Sequence, residues 1–438
     1  MPLEEVSLDL AEFEHVSGVF AAFHAQFARF FGRTEARRRS EQYLRGLLVQ
    51  QTDRRNAENV AEAVGGATPR SLQRLLTEAP WETQPVLAAL QGYVAPRLNA
   101  DEGVFVLDET GFPKKGTKSV GVARQYCGTL GKVGNCQLGV FLAYVSDRGH
   151  GLIDARLYLP HEWTEDTVRC QEAGVPEGVA YQSKAELGMA MLREARQVGQ
   201  LTGRWVTGDA DYGKVPTLRD ALDAADWLYV LEMPNLTPIF IDAAEAAVPA
   251  WSGHGRKPTR PQLVAGAPRA HTVAEWAQDV DPASWQVLTV AEGAQGPRSY
   301  QFFAQRVWES RDGVPGRASW LVGRRNRDAS ELKFYLSNAP AETPLPLLAH
   351  VGARRWPIET EFQTQKGETG LDEYEVRGWD GWHHHITFAL LAGAFLLTIQ
   401  QDWGKKSVRP HASAGGSGAA GTAPSTDLDH RRPVAVAA

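Results

Sequence analysis

The sequence predicts a mixed α/β fold: one sheet with flanking helices, preceded by a helical domain and interrupted by a β-rich insertion. Three observations predict it. Residues 1 to about 95 hold apolar side chains at helical spacing; strand runs and helices alternate from Gly103 to Pro234; and a Pro/Gly-rich stretch with strand-like runs then breaks that rhythm before helices return. A chain of 438 residues with 43% hydrophobic and 22% charged residues is neither collagenous nor wholly disordered, and it is long enough for several domains.

In the first segment, residues 1–98, Phe13, Val16, Phe20, Phe23 and Phe27 recur at helical intervals, followed by Tyr43, Leu44, Leu47 and Leu48. Within it, AENVAEAVGGATPRSLQRLLTEAPW spells a short helix, a Gly65-Gly66 stop, Thr68 as N-cap, Pro69 at the first helical position, and a second helix bearing Arg70 and Arg74. That is helix-turn-helix grammar, which serves DNA reading or plain helical packing. Residues 99–234 begin with the buried-strand run VFVLD, which ends in acid, and continue through two strands around a glycine-rich turn. The helix QSKAELGMAMLREARQVG follows, then RWVTGDADYG, a second strand ending in acid, and the helix and strand of ALDAADWLYVLEMP.

Residues 235–345 form the β-rich insertion, with strand pieces such as SYQFFAQRVWES and ELKFYLSNA, and residues 346–403 close the fold with two helices. The apolar run Ile386 to Ile399 is shorter than the roughly 20 residues a bilayer requires, so a buried core helix is expected and no membrane partner. Residues 404–438 are small, polar and unpatterned, the composition of a disordered tail. No basic segment followed by an apolar run opens the chain, and three cysteines without CxxC spacing make neither a disulfide framework nor a zinc site. A cytoplasmic location is expected.

The chemistry is read from acids at strand ends. Asp108 follows VFVL and Asp209 follows RWVTG, so both carboxylates lie at the ends of strands in one sheet. Glu359 stands near the start of the helix in RRWPIETEF, where Pro357 suits the first turn. Three carboxylates suit phosphodiester chemistry, because hard oxygens hold magnesium and two such ions can serve both the attacking and the leaving oxygen. Arg355, Glu359 and Lys366, spaced by four and seven residues, share one helix face: either an ion-pair lattice or a metal-binding acid between two phosphate-binding cations.

These residues resemble the DDE transposases of bacterial insertion sequences, in particular the group with a Tyr-Arg-Glu-Lys signature and a β-strand insertion in an RNase H-like domain. Arg355, Glu359 and Lys366 meet the Arg-x3-Glu-x6-Lys spacing; LDETGFPKKG and GDADYG carry the first two acids; and KGETGLDEYEVRGWDGWHHHITFALLAGAFL looks like the closing helices. The signature tyrosine falls at Gly352. The resemblance implies an RNase H-like mixed sheet, with Asp108, Asp209 and Glu359 as the catalytic triad binding two Mg2+ ions that Mn2+ can replace. It also implies that Arg355 and Lys366 contact the DNA end.

The implied activity is cleavage at insertion-sequence ends and transfer of the 3′ hydroxyl into target DNA. Double-stranded DNA, namely terminal inverted repeats and target, is the partner, and a homodimer joins the two ends. A catalytically inactive DNA-binding relative is the alternative. Tyr212, three residues on, selects Asp209 over Asp211, and only Glu359, not Glu361 or Glu368, fits both the Arg and the Lys spacing.

The net charge of -6 gives no general attraction to DNA, so local patches must supply it. Lys114, Lys115, Lys118 and Arg124 lie in a stretch without acids, and the insertion adds Arg324 and Arg325. His383, His384 and His385 diverge by about 100° per residue on a helix and so do not share one ion.

Overall fold

The structure is a computed structural model that describes residues 10–49, 54–293 and 296–407. Helices α1 (Leu10–Phe27), α2 (Thr34–Leu48), α3 (Ala57–Val64), α4 (Pro69–Thr77) and α5 (Thr83–Leu98) come first. Strands β1 (Val104–Pro113), β2 (Ala123–Cys127), β3 (Lys132–Ser146) and β4 (Gly149–Tyr158) form a meander, followed by α6 (His161–Thr164), α7 (Thr167–Glu172) and α8 (Lys184–Val198). Then come β5 (Trp205–Gly208), α9 (Ala210–Gly213), α10 (Pro216–Ala224) and β6 (Leu228–Met233).

The insertion holds the short strands β7 (Pro238–Phe240), β8 (Ala246–Ala247), β9 (Gln262–Leu263) and β10 (His271–Thr272), and the helix α11 (Val273–Asp279). Its longer strands are β11 (Gln286–Gly293), β12 (Gly296–Arg311), β13 (Val314–Arg325) and β14 (Leu332–Ser337). Helices α12 (Leu345–Ala353), α13 (Trp356–Thr369) and α14 (Trp379–Ser407) close the chain. The helix thus runs on through residues 404–407, where the sequence suggests a tail; residues 408–438 lie outside the described residues.

Strands β4, β3, β1, β5 and β6 lie side by side in that order. The first three are antiparallel, and β5 and β6 run parallel to β1. This is the RNase H-like order. β1 is buried on both faces, as its continuous VFVL run requires. The insertion does not stand apart: β14 pairs antiparallel with β6, and β13, β12 and β7 carry the sheet onward. Pairing there covers the edge of β6, which would otherwise expose unpaired backbone groups.

One hydrophobic core unites the helical region with the sheet. α14 is its axis. Its 24 residues Trp379–Asp402 are apolar enough to cross a membrane, yet 78% of the most apolar window is buried inside the protein. Phe395 meets Phe20 edge to face, Phe388 stacks on Phe31, and His384 stacks on Trp81 at 3.8 Å. His385 Nδ1 accepts from the Tyr43 hydroxyl at 2.8 Å while Nε2 faces the Gly370 carbonyl at 3.0 Å. His384 and His385 therefore fasten α14 to its neighbours, while His383 bonds back to the Trp379 carbonyl of its own helix. Thr68 caps α4 in a reciprocal box with Ser71, as the sequence indicates, while Leu72, Leu75 and Leu76 turn inward. Arg70 and Arg74 both pair with Glu78 on the outer face.

Candidate active site at the split of the sheet

β1 separates an antiparallel neighbour from a parallel one. Its pairing with β5 ends at Leu107↔Gly208, whereas its pairing with β3 continues through Asp108↔Phe141 to Pro113↔Cys136. Asp108 therefore does not end its strand, as the sequence suggests; it stands where the parallel pair opens, because β3 holds the following five residues extended. Openings beyond the carboxyl ends of parallel strands, at a reversal of strand order, are where α/β sheets bind ligands.

Asp209 is the first residue after β5 and caps α9, accepting from Asp211 N at 2.9 Å and Tyr212 N at 3.3 Å. The capping role and the site position coincide. Asp211 is exposed and pairs with Lys214 at 2.5 Å. Gly213 ends this short helix, and a Cβ there would lie 1.9 Å from the Glu232 carbonyl oxygen, so only glycine lets the turn rest on β6.

Arg355, just before α13, joins the acids. Its Nη2 is 2.6 Å from Glu359 Oε1, its Nη1 3.5 Å from Asp108 Oδ2, and its Nε 3.5 Å from Glu232 Oε2. One guanidinium thus spans Asp108 and Glu359, whose facing oxygens are no more than about 8.5 Å apart. Glu361 lies elsewhere, buried against Gln365 and 3.4 Å from His150. Glu109, next to Asp108, pairs with Lys184 of α8.

Burial, reinforced by Asp209, pushes the Asp108 carboxyl up to about 8 against the pull of Arg355. Burial, with Glu109 and Asp211 nearby, pushes Asp209 up to about 6. Two carboxylates that are hard to ionise together call for a nearby cation, and their oxygens are the hard donors a divalent ion takes. The donor set fits such an ion. Among the described residues, no three acidic, histidine or cysteine side chains are already gathered around one ion-sized point. Between Asp108 and Glu359 stands the guanidinium of Arg355.

The cations read from the sequence divide into two sets. Lys115, Lys118 and Arg124 are exposed, Lys118 being 3.7 Å from Glu172. Lys366 is part-buried, bonding Thr129 Oγ1 at 3.0 Å and the Gly111 carbonyl at 3.3 Å. Lys114 lies 3.7 Å over the Tyr374 ring, and burial lowers it to about 8. Arg324 turns inward, contrary to the surface position expected of it, and pairs with Glu331 at 2.9 Å because its strand is covered on that side by Tyr300. Arg325, half-buried, bonds Gln301 and covers Trp285. Gly352 packs where a Cβ would meet Val230 and the ring of Tyr335.

Glu232 is the residue that sequence reasoning missed. The signal was present in LYVLE, a third strand run ending in acid after VFVLD and WVTGD.

A family model described as DDE superfamily endonuclease matches residues 26–297, a stretch that includes Asp108, Asp209 and Glu232 and stops before Glu359. A probable transposase for insertion sequence element IS701 of Microchaete diplosiphon is 22% identical over 364 residues, covering 82% of this chain and 80% of that protein. Among solved structures, a cryo-EM structure of the piggyBac transposase synaptic complex with hairpin DNA overlaps 90% of this chain and 74% of its own, at 9% identity and a TM-score of 0.39. The family match covers more than half of the 438 residues, Asp108 and Asp209 among them, and by it the chain belongs to the DDE superfamily endonucleases.

Proposed function

We propose that the chain is an insertion-sequence transposase that cuts DNA at the element's ends and transfers the freed 3′ hydroxyl into target DNA. Asp108, Asp209 and Glu359 would hold two Mg2+ ions, replaceable by Mn2+. The observation that carries this reading is the meeting of residues 108 and 359 on one arginine, beside residue 209, in a chain of endonuclease family. The similarity to the IS701 transposase over most of both chains supports it.

When bound, such ions lower the pKa of water and offset charge on the leaving oxygen. The chain's own groups do the rest. The sheet and the α9 cap fix Asp108 and Asp209, while the helix start presents Glu359, which is half exposed. Arg355, on leaving the acids, offers a planar fork matched to phosphate oxygens. Lys115, Lys118 and Arg124 give the flank of β1 and β2 a local positive surface despite the net -6. Water and then a DNA hydroxyl are the nucleophiles, so no covalent bond between protein and DNA is required. Joining two ends calls for a homodimer on DNA.

The test is cleavage and joining of DNA that carries the flanking inverted repeats, with Mg2+. Asp108→Ala, Asp209→Ala and Glu359→Ala are each expected to lose on the order of 100-fold or more. Activity that survives all three changes would refute the assignment. A catalytically inactive relative would bind the ends and leave them uncut; a plain nuclease would cut without joining.

A further inference from the structure

We propose that Glu232 is a further carboxylate of the cation site, completing a row with Asp108 and Asp209. The proposal rests on the reading of Asp108, Asp209 and Glu359 as metal-binding acids and extends it to a residue outside that triad.

The row follows from strand register. Leu107 pairs with Gly208, and Gly208 pairs with Leu231, on three adjacent parallel strands. One residue further stand Asp108 and Glu232, still within their strands, and Asp209, just past the end of β5. Neighbouring strands lie about 4.8 Å apart and residues in register share a face, so the three acids start from one line. Arg355 meets two of them from one side, since it reaches Asp108 with Nη1 and Glu232 with Nε.

Two observations separate a cation-binding role from simple anchoring of Arg355. Glu232 Oε2 is shut off from solvent and has no hydrogen bond, whereas its other oxygen is held by Lys333 at 2.9 Å. A buried carboxylate oxygen in that condition favours a cation close by. Arg355 supplies charge, but from 3.5 Å at both Glu232 and Asp108, against 2.6 Å at Glu359. The arginine is seated on Glu359 and only leans on the other two. Their oxygens are thus left for a charge that can replace the guanidinium. Gly213 adds the reason that Glu232 sits so near, because the turn carrying Asp209 rests directly on the Glu232 backbone.

The experiment is Mn2+ binding to the full chain without DNA, read from the electron paramagnetic resonance of free Mn2+, for wild type, Asp108→Asn, Glu232→Gln and Glu232→Asp. Asp108→Asn and Glu232→Gln are each expected to weaken binding about tenfold or more, and Glu232→Asp several-fold, with its melting temperature unchanged. If Asp108→Asn leaves binding intact, the underlying site reading fails. If Asp108→Asn weakens binding while Glu232→Gln leaves it equal or tighter, Glu232 only anchors Arg355 and this proposal is overturned. Should Glu232→Gln not fold, Glu232→Asp decides: it keeps the charge opposite Lys333 and Arg355, and undiminished Mn2+ binding by a folded Glu232→Asp overturns the proposal.

Discussion

At the scale of single residues, the acids of the site set a pH dependence that can be read with its sign. Asp108 is held at about 8 in the fold against an ordinary 3.8. Between those values the folded chain keeps a proton that the unfolded chain has lost. Its contribution to stability is complete below the ordinary value and is lost as pH rises toward about 8. Asp209, raised to about 6, adds to the loss in the lower part of that window. In metal-free buffer, Asp108→Asn removes the larger slope, so its melting temperature is expected to pass that of the wild type by several degrees near pH 8. Melting curves of the two proteins that stay parallel from about pH 5 to about pH 8 would contradict this.

Asp108, Asp209 and Glu359 could be singled out from the sequence because VFVLD and RWVTGD read as strands running into an acid, although Asp108 lies inside β1, and because Arg355 and Lys366 bracket Glu359 at fixed spacing. Glu232 was not. Its local sequence says only that a strand ends there, and the register that sets it beside Asp209 exists only once β5 and β6 are paired.

At the scale of elements, α14 shows how far side-chain type alone can mislead. Three consecutive histidines suggest chemistry, yet His384 and His385 are buried and bonded to neighbouring helices and carbonyls. Burial lowers His385 to about 4 from 6.5. The sign is opposite to that of Asp108. The stability from keeping His385 neutral is present above 6.5 and is lost as pH falls through its folded value, because the unfolded chain takes up the proton first. His385→Ala is expected to cost about 2–4 kcal/mol in denaturant unfolding, since it leaves the Tyr43 hydroxyl unpaired and opens a cavity. The same variant should flatten the acid side of the stability curve between about pH 6 and pH 4. A loss below about 0.5 kcal/mol would mean that the site relaxes around the gap.

Helices and strands themselves were visible in the sequence through periodicity and caps, Thr68 among them. The joining of β14 to β6 was not visible, because pairing between residues about a hundred positions apart leaves no local pattern.

At the scale of the molecule, that joining makes the insertion part of the catalytic sheet. Glu309 of β12 is 1% exposed and accepts from Arg219 of α10 at 3.0 Å and 3.1 Å and from Ser319 at 2.9 Å. Arg219 in turn donates to the Gly213 carbonyl, at the end of the turn that carries Asp209. Glu309→Ala strands a buried arginine and is expected to cost about 3–5 kcal/mol. Because one sheet runs through both parts, the loss should appear as a single transition, with tryptophan fluorescence and far-ultraviolet circular dichroism shifting together. An insertion that melts by itself, ahead of an unchanged remainder, would show that the two parts are energetically separate.

The place of α14 at the centre of the core also fixes an order in time. Helices α1, α2, α4 and α5 are synthesised before α14, the helix on which they pack. At roughly 5–20 residues per second, Glu359 follows Asp108 by on the order of 10–50 s, and α14 comes later still. Until then the first acids have neither their arginine nor a closed core around them. A chain interrupted before α14 therefore carries helices whose apolar faces have lost the surface on which they pack.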